Sequence, residues 1–275
     1  MKLYIIGNGF DLAHELPSRY SDFAAFCKIN DPNLFELVNQ TFPDITTDSL
    51  WSNFEEGLGE PDPQKMQEFY NDYSRSHIDR NKPKIDDYLD IFKSLQYEFG
   101  DWIKNISQLK LFLPKLYNFD KNDYYLTFNY TGILEFIYQL PNLRIKHIHG
   151  FAKNEDLDTY RDYIFGHGKG EEKSSENIDS YDYLSKDFKN SFSKKYNIKG
   201  LEDFLIQISQ DKSNKLEIVV LGHSMNPIDD KYFKIIIERF PKAKWHIFYY
   251  DTKDCLSKID SVSRLGINNF ELLKN

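Results

Sequence analysis

The amino-acid sequence predicts a doubly wound α/β fold, a parallel sheet flanked by helices and carrying a large helical insertion, and three observations predict it. Five short apolar, β-rich runs, Leu3–Ile6, Tyr124–Phe128, Ile145–Ile148, Ile218–Leu221 and Trp245–Tyr250, each end in polar turn residues. Runs as short and as continuously apolar as EIVVLG belong to strands covered on both faces, the pattern of a parallel sheet. Three of the intervals after them, Gly132–Tyr138, Ile228–Phe240 and Lys253–Arg264, hold helical patterns. The repeating unit is therefore strand, turn, helix, strand, which the handedness of such crossovers makes a right-handed βαβ sheet.

Two stretches break that rhythm. Residues 20–118 hold no good strand but several amphipathic helical patterns. In Ile85–Ile106, for example, Ile85, Leu89, Phe92, Leu95, Phe99 and Ile103 recur at helical spacing. Pro17, Pro32, Pro43, Pro61, Pro63, Pro83 and Pro114 punctuate the stretch as helix boundaries. It reads as a helical insertion between the first and second strands. Residues 151–215 form a second insertion, rich in charge, whose tract Lys169–Asn177 reads as an exposed mobile loop before helices at Tyr181–Tyr196 and Leu201–Ile208. The expectation is a single α/β domain over residues 1–275, interrupted by these two insertions.

Composition narrows the classes of function. With 40% hydrophobic, 28% charged and 16% aromatic residues, the 275-residue chain has ordinary globular composition and ample material for a core. Its formal charge of −8 argues against non-specific nucleic-acid binding, which needs a basic footprint. A dinucleotide is not excluded, because strand-to-helix turns bind phosphate through backbone N–H groups. Two cysteines, Cys27 and Cys255, supply neither a four-thiolate zinc site nor a disulfide framework. No apolar run approaches the ~20 residues of a membrane span, and Met1-Lys2 leads into a strand-like segment rather than a signal peptide. The expectation is a cytoplasmic protein with no membrane partner.

The polar residues of most interest fall at the carboxyl ends of the predicted strands, where open parallel sheets bind ligands. They are Gly7-Asn8-Gly9-Phe10-Asp11, Thr127-Phe128-Asn129-Tyr130-Thr131, His147-Ile148-His149-Gly150, Gly222-His223-Ser224 and Asp251-Thr252. Gly7-Asn8-Gly9 suits a phosphate at a helix N-terminus but equally a tight turn without ligand, since Leu12 breaks the full G-x-G-x-x-G pattern. Asp11 is either a helix cap or a carboxylate near a ribose or a water. Asn129 is either a cap or an amide holding a ribose hydroxyl or the attacking water. His147 and His149 alternate about Ile148, which on a strand sends both to one face. Each is a satisfied core histidine, a metal ligand or an acid–base group. His149, beside Gly150 at the strand end, meets the acid–base condition better. Ser224 is either a turn residue or a phosphate or ribose contact. His167, between Gly166 and Gly168, suggests a lid.

With these residues in view, IIGNGFDLAH, LPSRYSDF, TFNYTGILE, HIHG, FGHG and VVLGHSMNPIDDKYF resemble, in order and almost end to end, the motif series of the bacteriophage abortive-infection family AbiH. That family is more distantly similar to sirtuin-like, Rossmann-like NAD-consuming domains. These carry a glycine-rich turn, a T-x-N strand end, an H-G catalytic histidine and a later G-x-S turn. The resemblance implies an NAD-binding role for Gly7, Asn8, Gly9, Thr127, Asn129, Gly222 and Ser224. It implies a catalytic role for His149, with Asn129 assisting. Phe10, Asp11, Thr131, His223 and Asp251, in the same strand-end segments, complete the expected ligand site. The chain departs from sirtuins in its GNGFD turn, in Thr131 where the usual residue is Asp, and in lacking zinc-ribbon cysteines. Those departures point away from deacylation and toward NAD glycohydrolysis in phage defence, with NAD as substrate or ligand and no metal.

Two other classes of function stay open at this point. One is a metal-dependent nucleotide hydrolase using His147, His149, His167 or His223 with Asp11 or Asp230. The other is a non-catalytic nucleotide sensor. A homo-oligomer or a phage-derived trigger would be a further partner.

Overall fold

The computed structural model describes residues 1–42, 51, 53–76, 85–108, 113–151, 163–170, 180–211 and 215–275. In chain order the described elements are β1 (Lys2–Ile6), α1 (Asn8–Ala13), α2 (Tyr20–Asn30), α3 (Pro32–Thr41), α4 (Phe54–Gly57), α5 (Pro63–Ser76), α6 (Ile85–Gln108), β2 (Tyr124–Thr127), α7 (Ile133–Phe136), β3 (Ile145–His147), α8 (Ser180–Ser191), α9 (Ile198–Gln210), β4 (Glu217–Leu221), α10 (Asp230–Arg239), β5 (Lys244–Tyr249), α11 (Thr252–Leu265) and β6 (Phe270–Lys274). Residues 171–177 of the charged tract, with Pro43 and Pro83, lie outside the described residues. No helix among the described residues is long and apolar enough to cross a membrane.

Contacts divide the chain into two compact units. The first is Met1–Ser18, Ile103–Asp156 and Tyr196–Asn275; the second is Arg19–Trp102 and Leu157–Lys195. The first unit holds a six-stranded, all-parallel sheet in the order β3-β2-β1-β4-β5-β6. The fold is the predicted α/β class with its helical insertion. Five of the strands coincide with the predicted runs. The sixth, β6, was not among them: Phe270–Lys274 is an edge strand, exposed at both ends.

Alternation along the central strands sends Leu3, Ile5, Leu126, Ile218, Val220 and Ile247 to one face of the sheet. There they meet Leu201, Leu205 and Ile208 of α9, Tyr232, Phe233 and Ile236 of α10, and Val262 and Leu265 of α11. Fully burying a side chain of this size contributes roughly 1.5–3 kcal/mol each, so this layer is the main source of cohesion in the unit. On the other face, Tyr4 stacks on Tyr125 at 5.1 Å, and Phe119 meets both rings edge-on. Phe10 and Tyr138 extend the same aromatic cluster. His14 locks the end of α1 into it, with Nδ1 2.7 Å from the Phe10 carbonyl and Nε2 2.9 Å from the Tyr138 hydroxyl. Burial holds that imidazole below its ordinary pKa.

The second unit is helical. Asp31 accepts a hydrogen bond from the Leu34 N–H, and Pro32 occupies the first turn, which together start α3. Its interior is aromatic: Trp51 stacks on Phe54 at 4.8 Å, Phe23 lies 5.2 Å from Trp102, and Phe99 stacks on Phe165 at 4.6 Å. His167 belongs here, bridging to Ser193 through the backbone and placing Nε2 2.7 Å from the Lys189 carbonyl.

Two turns at the carboxyl ends of β1 and β4 pack backbone against backbone. The Gly9 N–H donates to the Gly222 carbonyl at 2.7 Å, and the Gly7 N–H to the Leu221 carbonyl at 3.1 Å. A Cβ at Gly7 would stand 2.5 Å from the His223 Cα, and one at Gly222 would stand 2.4 Å from the Phe10 N. Gly222 also has φ +64, where an L side chain is strained. Gly222→Ala should therefore cost on the order of 3 kcal/mol. Urea unfolding would show this as a lower midpoint at unchanged slope, and a wild-type midpoint would show that the two turns can part without cost.

Candidate functional site at the carboxyl edge of the sheet

The sheet order reverses direction at β1: the chain runs from β1 through β2 to β3 on one side, then returns to β4 on the other. This switch point is where open α/β sheets leave a crevice for ligands. Gly7 and Gly222 are its two lips.

Asp11 lies inside α1 and caps nothing. Its two oxygens face β2: Oδ1 accepts from the Asn129 Nδ2 at 2.7 Å, and Oδ2 accepts from the Thr131 hydroxyl at 2.7 Å. The Asn129 Nδ2 also donates to the Gly7 carbonyl at 3.1 Å, and its backbone N–H donates to the Thr127 hydroxyl oxygen at 3.1 Å. With both acceptors beside it, the nitrogen of this amide must point at β1, and the Asn129 Oδ1 is the group left for accepting a hydrogen bond. Asp11, Thr127, Asn129 and Thr131 are all buried. Burial pushes the Asp11 carboxyl up to about 7, although the Thr131 and Asn129 donors and the neighbouring His147 pull it the other way.

The two histidines of HIHG part company. Regular pairing ends at His147, and the chain bends at Ile148 and His149. His147 faces α7, with Nε2 2.7 Å from Glu135 Oε1, Nδ1 3.1 Å from the Asn129 carbonyl, and its ring stacked on Phe151. His149 turns instead into the layer of α10, 5.1 Å from the Phe128 ring and 5.8 Å from the Tyr232 ring. The alternation expected from a straight strand, with both rings on one face, does not survive the bend. His149 lies against Phe128 and Tyr130, the neighbours of Asn129 on either side.

Beyond β4, Gly222 and Met225 (φ 59) both adopt left-handed backbone, which folds the turn back on itself. His223 is thereby buried, 4.2 Å from the Phe128 ring, with Nδ1 accepting from the Met225 N–H at 2.8 Å. Asn226 caps the single 3₁₀ turn Pro227–Asp229 that follows. Asp229, buried at the start of α10, makes no cap hydrogen bond with its side chain. Its Oδ1 lies 3.6 Å from the His149 Nε2 and its Oδ2 3.5 Å from the His223 Nε2. Sequence reasoning singled out Asp230, whose carboxylate instead pairs with Arg264 on α11.

The remaining expected ligand residues fall in different surroundings. Phe10 is buried in the aromatic cluster. Asn8 is exposed and exchanges hydrogen bonds with Ser18. Ser224 is exposed, and its carbonyl accepts from Lys258 at 3.2 Å. Asp251 caps α11 by accepting from the Asp254 N–H at 2.8 Å. Among the described residues no group of three or more His, Cys, Asp or Glu side chains is arranged to hold a metal ion. A cleft of about 250 Å³ opens on the aromatic face of the sheet, lined by Tyr4, Tyr117, Phe119, His246 and Phe248 among others, and it includes none of these strand-end residues.

The Asp11 environment has a measurable consequence. In the unfolded chain this carboxyl ionises near 3.8, and in the folded protein near 7, so folding takes up a proton between those values. Its contribution to stability is greatest below pH 4 and is lost as pH rises through 7, by an amount on the order of a few kcal/mol. Asp11→Asn keeps an acceptor for Asn129 and a partner for Thr131 without the charge. Its Tm relative to wild type should rise across pH 4 to 8; a constant difference would mean that Asp11 does not titrate in that window.

The family model described as bacteriophage abortive infection AbiH matches residues 3–250, which takes in the strand-end motifs from Gly7 through Ser224 and stops just before Asp251. No curated protein and no solved structure matches the chain. The chain belongs to the bacteriophage abortive infection family AbiH, and with it to phage defence.

Proposed function

We propose that the chain acts in phage defence by binding NAD at the carboxyl edge of its sheet and hydrolysing the nicotinamide N-glycosidic bond. The observation that carries this reading is that two buried groups, one beyond the end of β2 and one beyond the end of β3, are held close to the same short segment. Asn129 is fixed by Gly7 and Asp11, and His149 lies against the residues on either side of it. The T-x-N strand end, the H-G histidine and the glycine turns that resemble sirtuin-like domains supply the substrate class.

The chemistry suits these groups. Nicotinamide leaves a pyridinium as a neutral base, so a strong general acid is unnecessary. What the site must supply is an oriented water and a base for its proton. The Asn129 Oδ1, held by the bonds its nitrogen makes, would accept a hydrogen bond from the water or from a ribose hydroxyl. As nicotinamide departs, positive charge spreads over the ribose C1′ and ring oxygen, and the carbonyl dipole of Asn129 opposes that charge. Water oxygen then bonds to C1′, and its proton passes to His149, which has a side chain whose ordinary pKa lies near ~6.5. The products are ADP-ribose, nicotinamide and a proton.

His149→Ala should lower nicotinamide release from NAD by ~10²-fold or more while the protein stays folded. Asn129→Ala should lose rate as well, through misplacement of water or ribose. His147→Ala should lose less rate and more stability, because it removes the contacts to Glu135 and to the Asn129 carbonyl. Chromatography of nicotinamide and ADP-ribose from purified protein and NAD checks all three. Tight NAD binding by a wild-type protein that releases no nicotinamide would leave the sensor reading in its place.

A further inference from the structure

We infer that Asp229 is the positioning carboxylate of His149, and that His223 is the group that holds this carboxylate in place. The inference rests on the reading of His149 as the base. Asp229 occupies the N-cap of α10, where an aspartate usually accepts from the helix N–H groups, yet its side chain makes no such bond. It turns inward instead, and both of its oxygens face imidazole nitrogens, at 3.6 Å for His149 and 3.5 Å for His223. All three side chains are more than nine-tenths buried. A carboxylate so far from water is costly unless cationic or hydrogen-bonding groups face it.

The two histidines take different parts. The His223 Nδ1 accepts from the Met225 N–H, which puts the proton of its neutral ring on Nε2, toward Asp229. The turn that carries it is itself tied down: the Met225 carbonyl accepts from Arg264 at 2.6 Å and from the Ser261 hydroxyl at 3.1 Å. His223 is thus a fixed donor. The other carboxylate oxygen faces the His149 Nε2 at 3.6 Å, an ion-pair rather than a hydrogen-bond distance, and we place the ring proton on that nitrogen, so that Nδ1 exchanges a proton with substrate. When His149 takes up that proton, the imidazolium forms beside an anion already in place, with no bond broken or made to Asp229. Among the described residues, the rings of Phe128, Tyr130 and Tyr232 also pack on His149.

Nitrogen-15 NMR of the histidine rings tests the arrangement on the wild-type protein without NAD. Neutral His149 and His223 should both carry their proton on Nε2, and an Nδ1–H tautomer at His149 would overturn the inference. In Asp229→Asn the titration midpoint of His149 should fall by about one unit, as loss of a nearby anion requires. An unchanged midpoint in a folded variant would equally overturn it. In the NAD cleavage assay, Asp229→Asn should lower kcat by ~10-fold or more with KM little changed, and the acid limb of the pH–rate profile should move to lower pH. A wild-type kcat and limb would exclude a positioning role, whereas a protein that cleaves no NAD but shows the tautomer and the midpoint shift would fail only the activity reading. If Asp229→Asn does not fold, the wild-type tautomer decides.

Discussion

The contact on which the rest of the first unit depends is the hydrogen bond from the Gly9 N–H to the Gly222 carbonyl. It joins the turn after the first strand to the turn after the fourth, more than two hundred residues later in the chain. Side chains at Gly7 or Gly222 would keep the two backbones apart, and with them the strand ends that carry Asp11, Asn129 and His223. The glycines of GNG therefore have a reason to be glycine that involves no ligand. Their N–H groups at Gly7 and Gly9 are directed to protein carbonyls, so the turn shapes the crevice rather than cradling a phosphate with those two donors.

A site built this way concentrates polar groups where solvent is scarce. Asp11, Thr131, Asn129, His149, His223 and Asp229 are all buried, and most protein interiors avoid such a set because each lost water contact must be replaced. For Asp11 the replacements are hydrogen bonds within the protein, whereas Asp229 meets its imidazoles at ion-pair distances of 3.5 and 3.6 Å. Asp11 has a donor on each oxygen, and Asp229 has an imidazole facing each oxygen. The two carboxylates serve two neighbours apiece, one network holding the amide and the other holding the imidazoles. Asp11 still has a strongly raised pKa despite its two donors, so hydrogen bonding offsets only part of the cost of burial. A fold keeps that kind of cost where chemistry requires it, which is why the network weighs toward function.

How much of this was legible in the sequence depended on whether the determining contacts were local. Central strands such as Ile218–Leu221 are covered on both faces and read as continuous apolar runs. Strand β6 lies at the edge, with Phe270 and Lys274 exposed and Glu271 turned to Lys244, and so it has no such run. Asn129 and His149 stood out because they end strands and sit beside Thr131 and Gly150 in recognisable motifs. Asp229 did not, because an acidic residue after Asn-Pro and before a helix is the ordinary signature of a cap. Only the left-handed turn through Gly222 and Met225 brings His223 to it. Phe10 was legible as part of a motif but not in its role, since its aromatic partners come from Tyr117, Phe119 and Tyr138, over one hundred residues away.

The sharpest lesson comes from His147 and His149, two residues apart in one short strand motif. Period-two alternation would give them one environment and so one role. The last ladder pair, Thr127 with His147, keeps the first ring on the α7 side, where Glu135 and the Asn129 carbonyl take both nitrogens. With no further pairing to enforce the pleat, the chain bends, Ile148 still enters the α9–α10–α11 layer, and His149 follows it toward Asp229. An imidazole with both nitrogens engaged by fixed acceptors on one side of the sheet is a brace. The one directed at a shared buried carboxylate is the residue we propose as the base. The end of a strand is thus a place where one missing ladder pair can convert a repeated residue into two different tools.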